Sequence, residues 1–160
     1  MYIINCDSSI EPMNPDGILA WAYIAKLKGE IVHQDVKIHG WGKGMTNNIG
    51  EYLAVVGAML WLSELPKERQ MPAIINSDSQ LIVNQCSETW NCNDKTLQKY
   101  NRMILAAKAK YRCNISFHWI PREKNKEVDA LSRSLYTEEA INIMKERRLD
   151  ILFDGDDISF

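Results

Sequence analysis

The chain has 160 residues, of which 46% are hydrophobic and 25% are charged, and its formal net charge is −2 at pH 7. This length predicts one domain of about 150 residues, which can bury a single hydrophobic core without disulfide support. The composition excludes collagen-like, low-complexity and fully disordered chains. The longest apolar run, residues 53–62, is too short to cross a bilayer, which takes about 20 residues.

Three strands are predicted in the first forty residues, at 2–6, 19–27 and 31–38. Each is a run of apolar, β-branched and aromatic residues between turn formers. Residues 11–17 are dense in turn formers and are predicted to form a loop. The short connection at 28–30 makes the second and third strands an antiparallel hairpin.

Helices and strands alternate in the rest of the chain. Apolar spacing predicts helices at 51–65, 80–85, 95–110 and 126–135, and short apolar runs predict strands at 73–76 and 114–120. The fold class is therefore α/β, with three antiparallel strands followed by parallel additions in a mixed sheet that helices cover on both faces. Right-handed crossovers would place the carboxyl ends of the first and fourth strands side by side.

The C-terminal part differs in charge from the rest. Residues 1–136 are predicted to form the core domain, 137–148 an additional amphipathic helix, and 149–160 a disordered acidic tail. The tail holds four aspartates and no basic residue, so it carries −4 while residues 1–148 carry +2. A mildly basic body is compatible with nucleic-acid binding.

The cysteines and the N-terminus both indicate a reducing compartment. The four cysteines are scattered and form no C-x-x-C pair, so reduced thiols are expected. The first residues lack the basic region and cleavage site of a secretion signal. We therefore expect a cytoplasmic protein without membrane association.

Four carboxylates lie at positions that the predicted fold would bring together: Asp7 at the end of strand one, Glu51 at the start of the long helix, Asp78 after strand four, and Asp129 in the last core helix. An acid directly after an apolar strand is costly if it is buried alone, so Asp7 is the least ordinary of them. Clustered acids without a zinc-type set of histidines or cysteines favour hard divalent ions such as Mg²⁺ or Mn²⁺. Two such ions about 4 Å apart serve phosphodiester hydrolysis.

Each acid also has a structural interpretation. Asn48 and Glu51 have the spacing of a capping box, and Asp78 or Ser79 would cap the helix that follows. Asp129 would be a solvated charge on a polar helix face. Taken one at a time, these structural interpretations are favoured for residues of these types.

An ordered set of motifs resembles the ribonuclease H type 1 family. The matching segments are INCD at 4–7, NPDG at 14–17, TNNIGEY at 46–52, NSDSQ at 76–80, WIPREKN at 119–125 and VDAL at 128–131. They occur in the order of that family and together cover residues 1 to about 135.

The resemblance implies both a fold and an activity. It implies a five-stranded mixed sheet and endonucleolytic cleavage of the RNA strand of RNA–DNA hybrids by two metal ions, Mg²⁺ or Mn²⁺, with 5′-phosphate and 3′-hydroxyl products. It also implies that residues 1–136 are the catalytic domain and that the metal ligands are Asp7, Glu51, Asp78 and Asp129.

The resemblance also suggests residues that contact the substrate. Asn14 and Gln80 are similar to residues that contact the groove in the family, and Ser9 with the backbone near Gly17 is expected close to the RNA sugar.

Thr46 and Asn47 are expected to hold a phosphate of the DNA strand, with an ordinary polar turn as the alternative. Trp90 is expected to lie against a deoxyribose or a base, and a cover for the core is an equal alternative.

Three features depart from the family pattern. Ser8 replaces the glycine that usually follows the first aspartate. The segment between the helices at 80–85 and 95–110 is too short for the basic helical extension of some members, so a weaker grip on the substrate is expected. The loop before Asp129 lacks the histidine of many members, and Glu123 is the nearest substitute as an auxiliary group.

The tail and the rival functions complete the predictions. The last residues, DGDDISF, are similar to the acidic, Phe-terminated tip of bacterial single-stranded DNA-binding proteins, which suggests a replication or repair partner, with an inert solubilising tail as the favoured alternative. The rivals to a hybrid-cutting enzyme are a transposase-type nuclease of the same fold and a non-catalytic hybrid-binding module. We expect a monomer.

Overall fold

A meander of three strands forms the first part of the computed structural model, which describes residues 1–138, 141–142 and 146. The strands are β1 (Tyr2–Glu11), β2 (Ile18–Leu27) and β3 (Glu30–Trp41), and they pair antiparallel in that order. The turn between β2 and β3 has positive φ at Lys28 and Gly29. The antiparallel part of the predicted sheet is therefore confirmed.

Within residues 1–136, two further strands and four α-helices follow the meander. They are α1 (Asn47–Glu64), β4 (Ala73–Ser77), α2 (Gln80–Cys86), α3 (Lys95–Lys110), β5 (Ile115–Trp119) and α4 (Lys126–Arg133). Short 3₁₀ turns lie at Lys67–Arg69 and Arg122–Lys124. The sheet order is β3-β2-β1-β4-β5, and β4 lies parallel to both β1 and β5. This mixed five-stranded sheet is the predicted architecture.

The first strand is longer than predicted. It pairs with β2 along its whole length, whereas its pairing with β4 stops at Asn5 and Asn76. Asp7 therefore lies inside β1 and not at its end, so the predicted strand boundary is wrong. The apolar run that predicted this boundary ends close to the last residue of β1 that pairs with β4. Beyond that point, β1 continues as a strand because it still pairs with β2.

The long helix starts earlier than predicted. Thr46 has an extended backbone, and its hydroxyl accepts the N–H of Ile49 at 3.3 Å, so the helix begins at Asn47. Glu51 consequently lies in the second turn, and the capping box suggested for Asn48 and Glu51 does not form. The predicted cap at Ser79 does form, since its hydroxyl accepts the N–H of Ile82.

Side chains alternate between two apolar layers along β2. Tyr23 and Ala25 belong to the main core, which α1 and α3 cover, whereas Ala22 and Ile24 pack with Val128 of α4. Because successive side chains of a strand point to opposite faces, helices cover both faces of the sheet. This arrangement matches the prediction.

The predicted C-terminal segments lie largely or wholly outside the described residues. In the helix predicted at 137–148, the N–H of Ile141 donates to the carbonyl of Thr137 at 3.0 Å. The whole acidic tail at 149–160 is outside the described part, and both segments stay predictions. Among the described residues, none of the helices combines the length and hydropathy that a bilayer crossing requires.

Candidate metal centre

The site lies where β1 and β4 separate. At their last paired position, the side-chain amide of Asn76 donates to Asn5 Oδ1 at 2.9 Å and ties the two strands together. Beyond this hydrogen bond, Asp7 lies two residues further along β1, and Asp78 follows directly after β4. Two carboxylates from distant parts of the sequence therefore meet at one edge of the sheet.

Helix α1 adds the third carboxylate. One oxygen each from Asp7, Glu51 and Asp78 lies within 4.8 Å of the others. Asp7 is 4% exposed and Glu51 is 3% exposed, so two like charges are almost completely removed from water. Such a cluster is stable only with bound protons or a cation.

Burial raises the pKa of all three carboxyls. It raises the pKa of Asp7 to about 7, with a further contribution from the negative charge of Asp78. Burial and then the charge of Asp7 hold the pKa of Glu51 well above its ordinary value. The pKa of Asp78 is raised mainly by burial, against the amide of Asn125 and the charge of Arg122, which lower it.

Asp129 lines the same cleft outside the group of three, but it lies close enough to Asp7 and Asp78 to raise the pKa of both carboxyls. The cleft has a volume of about 210 Å³, and its lining includes all four predicted acids. Asp129 Oδ1 accepts the Nε–H of Arg133 at 3.3 Å, and Arg133 also pairs with Glu11 at 2.6 Å. The ion pair with Arg133 therefore holds this fourth acid at the rim.

The two oxygens of Glu51 have different surroundings. Oε1 accepts the hydroxyl of Ser8 at 3.0 Å and the amide of Asn47 at 3.4 Å. Among the described residues, Oε2 is buried and has no hydrogen-bond partner. A buried carboxylate oxygen without a donor fits a cation ligand, because a cation would supply the missing partner.

Asn125 is a buried component that the sequence did not assign. It is 1% exposed, and its amide donates to the carbonyl of Cys6 at 2.9 Å and reaches Asp78 Oδ2 at 3.5 Å. Trp119 donates its indole N–H to the carbonyl of Asp78 at 3.1 Å. An asparagine directly before a helix indicates a cap, so no pattern in the sequence reveals that this amide faces Asp78 instead.

Some of the predicted substrate residues line the acidic cleft. Asn14, Asn47 and Ser9 are in its lining. The hydroxyl of Ser9 is buried and bonds to the Ser132 carbonyl and the Tyr136 hydroxyl, so its side chain is engaged inside the protein.

The other predicted substrate residues lie outside that lining. Thr46 caps α1, and Gly17 packs so closely on the backbone of residues 11–13 that a Cβ would clash. Gln80 is exposed at the start of α2, and Trp90 is 47% exposed in the loop after it. Their roles stay predictions.

The loop before Asp129 contributes a positively charged side chain to the lining of the cleft. Arg122 and Glu123 are both exposed in one 3₁₀ turn, but Arg122 lines the cleft and Glu123 does not. The auxiliary role predicted for Glu123 has no supporting contact among the described residues. The positive charge of Arg122 lowers the pKa of Asp78.

The donor set defines the chemistry of the cleft. All ligand atoms in the compact group are carboxylate oxygens, which hard divalent cations prefer over nitrogen and sulfur. The buried orphan oxygen of Glu51 and the raised pKa values agree with a site that is completed by positive charge. The cleft is therefore suited to hold a divalent metal ion.

Comparison with known proteins relates this geometry to a family. The family model described as "Reverse transcriptase-like" matches residues 5–135. The crystal structure of LC11-RNase H1 in complex with an RNA/DNA hybrid aligns with a TM-score of 0.73 and 27% identity, over 82% of this chain and 93% of that one. The N-terminal RNase H domain of Rv2228c from Mycobacterium tuberculosis aligns with a TM-score of 0.72 and 20% identity, over 91% and 96% of the two chains.

Curated relatives match over shorter stretches. The bifunctional protein Rv2228c of Mycobacterium tuberculosis is 30% identical over 87 residues, which are 54% of this chain and 23% of that protein. The protein YpeP of Bacillus subtilis is 28% identical over 96 residues, or 60% of this chain and 42% of that protein. The matched stretches thus span less than half the length of these relatives.

Proposed function

The chain belongs to the reverse transcriptase-like family, and from that premise we propose that it is a metal-dependent endoribonuclease that cuts the RNA strand of RNA–DNA hybrids. The observation that carries this proposal is the convergence of Asp7, Glu51 and Asp78 within 4.8 Å in an open cleft. A purely structural role would not place three like charges together, because their mutual repulsion destabilises the fold.

Asp7, Glu51 and Asp78 would hold the first divalent ion, and Asp129 would help to hold a second. Mg²⁺ or Mn²⁺ bound there supplies Lewis-acid stabilisation of the phosphate and a lowered pKa for an attacking water. Residues of the chain itself support Asp78: the amide of Asn125 reaches its carboxylate at 3.5 Å, and the indole N–H of Trp119 donates to its backbone carbonyl.

Polar groups around the acids suit a nucleic-acid backbone. Asn14 and Asn47 line the cleft beside the acids, and Arg122 and Arg133 line it with positive charge. Amides and guanidinium groups bind sugar and phosphate without reading base sequence, as recognition of a hybrid duplex requires. The related LC11-RNase H1, which was solved with an RNA/DNA hybrid, supports this choice of substrate.

The proposed reaction is hydrolysis of the phosphodiester bond with water as the nucleophile. The bond to the 3′-oxygen breaks, so the products carry a 5′-phosphate and a 3′-hydroxyl. The carboxylates of Asp7 and Asp78, at the edge where β1 and β4 separate, would face the scissile phosphate through the metal ions. The 2′-hydroxyl of the RNA is not consumed in this reaction.

A panel of labelled duplexes tests the proposal. Purified protein is incubated with RNA–DNA, RNA–RNA and DNA–DNA duplexes of one sequence, with Mg²⁺, with Mn²⁺ or with EDTA, and the product ends are mapped. We expect internal cleavage of the RNA strand in the hybrid alone, which EDTA abolishes. Asp78→Asn should remove the activity, whereas Glu68→Gln, in the 3₁₀ turn after α1, should keep it.

The rival functions give other patterns in the same assay. Binding of the hybrid without cleavage in any metal would identify a non-catalytic binding module and overturn the proposal. Cleavage of DNA–DNA would indicate a transposase-type nuclease. Cleavage that survives EDTA would contradict the assigned role of the acids.

Two further predictions concern the cellular context of the protein. We propose a cytoplasmic monomer, and for the acidic tail at 149–160 we test binding of a replication or repair protein against the favoured alternative of an inert solubilising tail. Deletion of residues 158–160 should weaken recovery of that partner and leave hybrid cleavage intact, and unchanged recovery would refute the proposed tail interaction.

A further inference from the structure

Ser8 occupies an unusual place beside the acids. In the family that the chain resembles, glycine usually follows the first aspartate, and a glycine has no side chain to offer. Here the serine is 5% exposed and lies one residue after Asp7 on β1. Its hydroxyl lies 3.0 Å from Glu51 Oε1 and 2.8 Å from Asn47 Oδ1.

Gly50 makes room for this side chain. A Cβ on Gly50 would lie 2.7 Å from the Cβ of Ser8 and 2.9 Å from its hydroxyl oxygen. Such distances are too short for ordinary contacts, so α1 approaches β1 this closely only because position 50 lacks a side chain. The close approach brings Glu51, the next residue, within reach of the serine hydroxyl.

The contacts on Glu51 divide its two oxygens. Oε1 lies 3.0 Å from the Ser8 hydroxyl and 3.4 Å from the amide nitrogen of Asn47. The single proton of the Ser8 hydroxyl is shared between Oε1 and the side-chain and backbone oxygens of Asn47, at 2.8 and 3.2 Å. Oε2 is buried without a partner in the described part of the chain. A carboxylate held through one oxygen presents the other in a fixed direction. Outer donors of this kind commonly orient metal-binding carboxylates.

We propose that Ser8 is a positioning residue that fixes the Glu51 carboxylate for the metal ion, an inference that rests on the proposed function. Without the hydroxyl, the hydrogen bond that remains to Oε1 among the described residues is the 3.4 Å contact from Asn47. The carboxylate would then sample more rotamers, and the entropy lost when it is ordered would weaken metal binding.

Metal binding to the protein without nucleic acid gives the direct test. Mn²⁺ is titrated by calorimetry into metal-free wild type, Ser8→Ala, Ser8→Gly, Ser8→Thr and Ser63→Ala. Ser63 lies in α1, the helix that carries Glu51, and donates its hydroxyl to the carbonyl of Met59, so it controls for loss of a serine hydroxyl that does not contact the acids. We expect the dissociation constant to rise about tenfold in the alanine and glycine variants.

The conservative variant separates positioning from packing. Ser8→Thr retains a hydroxyl and should bind Mn²⁺ within about threefold of wild type, as should Ser63→Ala. In cleavage assays, Ser8→Ala should raise the half-saturating metal concentration by about the same factor as the dissociation constant. Its KM for the hybrid at saturating metal should equal that of wild type, because the serine acts on Glu51 and not on the duplex.

The outcomes distinguish the two proposals. If wild type binds Mn²⁺ and Ser8→Ala and Ser8→Gly bind it equally well, Ser8 has no positioning role, although the proposed function stands. If wild type itself binds no Mn²⁺ and cuts no hybrid, the proposed function fails first. If Ser8→Ala does not fold, Ser8→Gly, which adds no atoms, decides the question in its place.

Discussion

Two adjacent residues of α1 lead to two very different buried polar clusters. Glu51 belongs to the acidic cluster with Asp7 and Asp78, where like charges lie within 4.8 Å and one carboxylate oxygen lacks a partner among the described residues. Tyr52 belongs to a neutral cluster, where its hydroxyl donates to Gln85 Oε1 at 2.5 Å and accepts the amide of Asn101 at 3.3 Å.

The polar groups of the neutral cluster form hydrogen bonds with one another. It joins α1, α2 and α3, because Asn101 also donates to the carbonyl of Gln85. The amide of Gln85 donates in turn to the carbonyl of Asn91, which anchors the loop that carries Trp90. A satisfied network of this kind stabilises the fold, whereas the acidic cluster lowers stability until a cation binds. The contrast separates the part of the interior that stabilises the fold from the part for which we propose catalysis.

Substitutions in the two clusters should differ most in their effect on the rate of hybrid cleavage. Asp78→Asn removes a negative metal ligand and should lower hybrid cleavage by at least about a hundredfold. Tyr52→Phe removes one hydroxyl next to Glu51 in sequence and should leave the rate of the folded protein within about twofold, because its hydroxyl faces the other cluster. Initial rates on a labelled hybrid measure both, and equal losses would contradict the separation.

Without metal, substitutions in the two clusters should change the folding stability in opposite directions. Tyr52→Phe leaves Gln85 Oε1 without its donor and should lower the free energy of unfolding by about 1–2 kcal/mol. Asp7→Asn removes a buried charge and should raise this free energy by about 1–3 kcal/mol at about pH 8 in EDTA. Urea unfolding followed by circular dichroism measures both changes.

The stabilising effect of Asp7→Asn should depend on pH. The pKa of Asp7 is about 7 in the folded protein and lies above its unfolded value, so the folded state holds the proton more tightly. Wild-type stability without metal should therefore fall as pH rises from about 4 to about 7. This slope should be shallower in Asp7→Asn, and an unchanged slope would show that Asp7 does not titrate in this range.

Metal binding should stabilise the protein through the acidic cluster and not through the neutral cluster. At about a hundred times its dissociation constant, Mg²⁺ should add about 2.7 kcal/mol to the stability of wild type. Tyr52→Phe should keep this increment, and Asp78→Asn should lose most of it. Thermal unfolding with Mg²⁺ and with EDTA measures the increment, and a similar gain in Asp78→Asn would place the ion elsewhere.

The neutral cluster should influence catalysis only through the loop that it anchors. Trp90→Ala removes an exposed ring and should raise KM for the hybrid about fivefold or more, with kcat nearly unchanged, if the ring stacks on the substrate. Steady-state kinetics at saturating metal measure this effect. An unchanged KM would instead leave Trp90 as a cover for the core.

The sequence predicted the mixed sheet and the adjacent carboxyl ends of its first and fourth strands, since both follow from the succession of strands and helices and from right-handed crossovers. It placed the ends of β1 and α1 wrongly, because the pairing of β1 with β2 beyond Asn5 and the cap at Thr46 depend on neighbours in space. The roles of Ser8 and Asn125 were missed for the same reason. A serine and an asparagine carry no periodic signal that reveals which buried carboxylate they face.

Anomalous diffraction from crystals soaked in Mn²⁺ tests the central claim most directly. We predict a strong peak about 2.2 Å from carboxylate oxygens of Asp7, Glu51 and Asp78, since this is the distance at which carboxylates bind such ions. The peak should disappear in Asp78→Asn. A crystal with full Mn²⁺ occupancy at other positions and none among these three carboxylates would contradict the account.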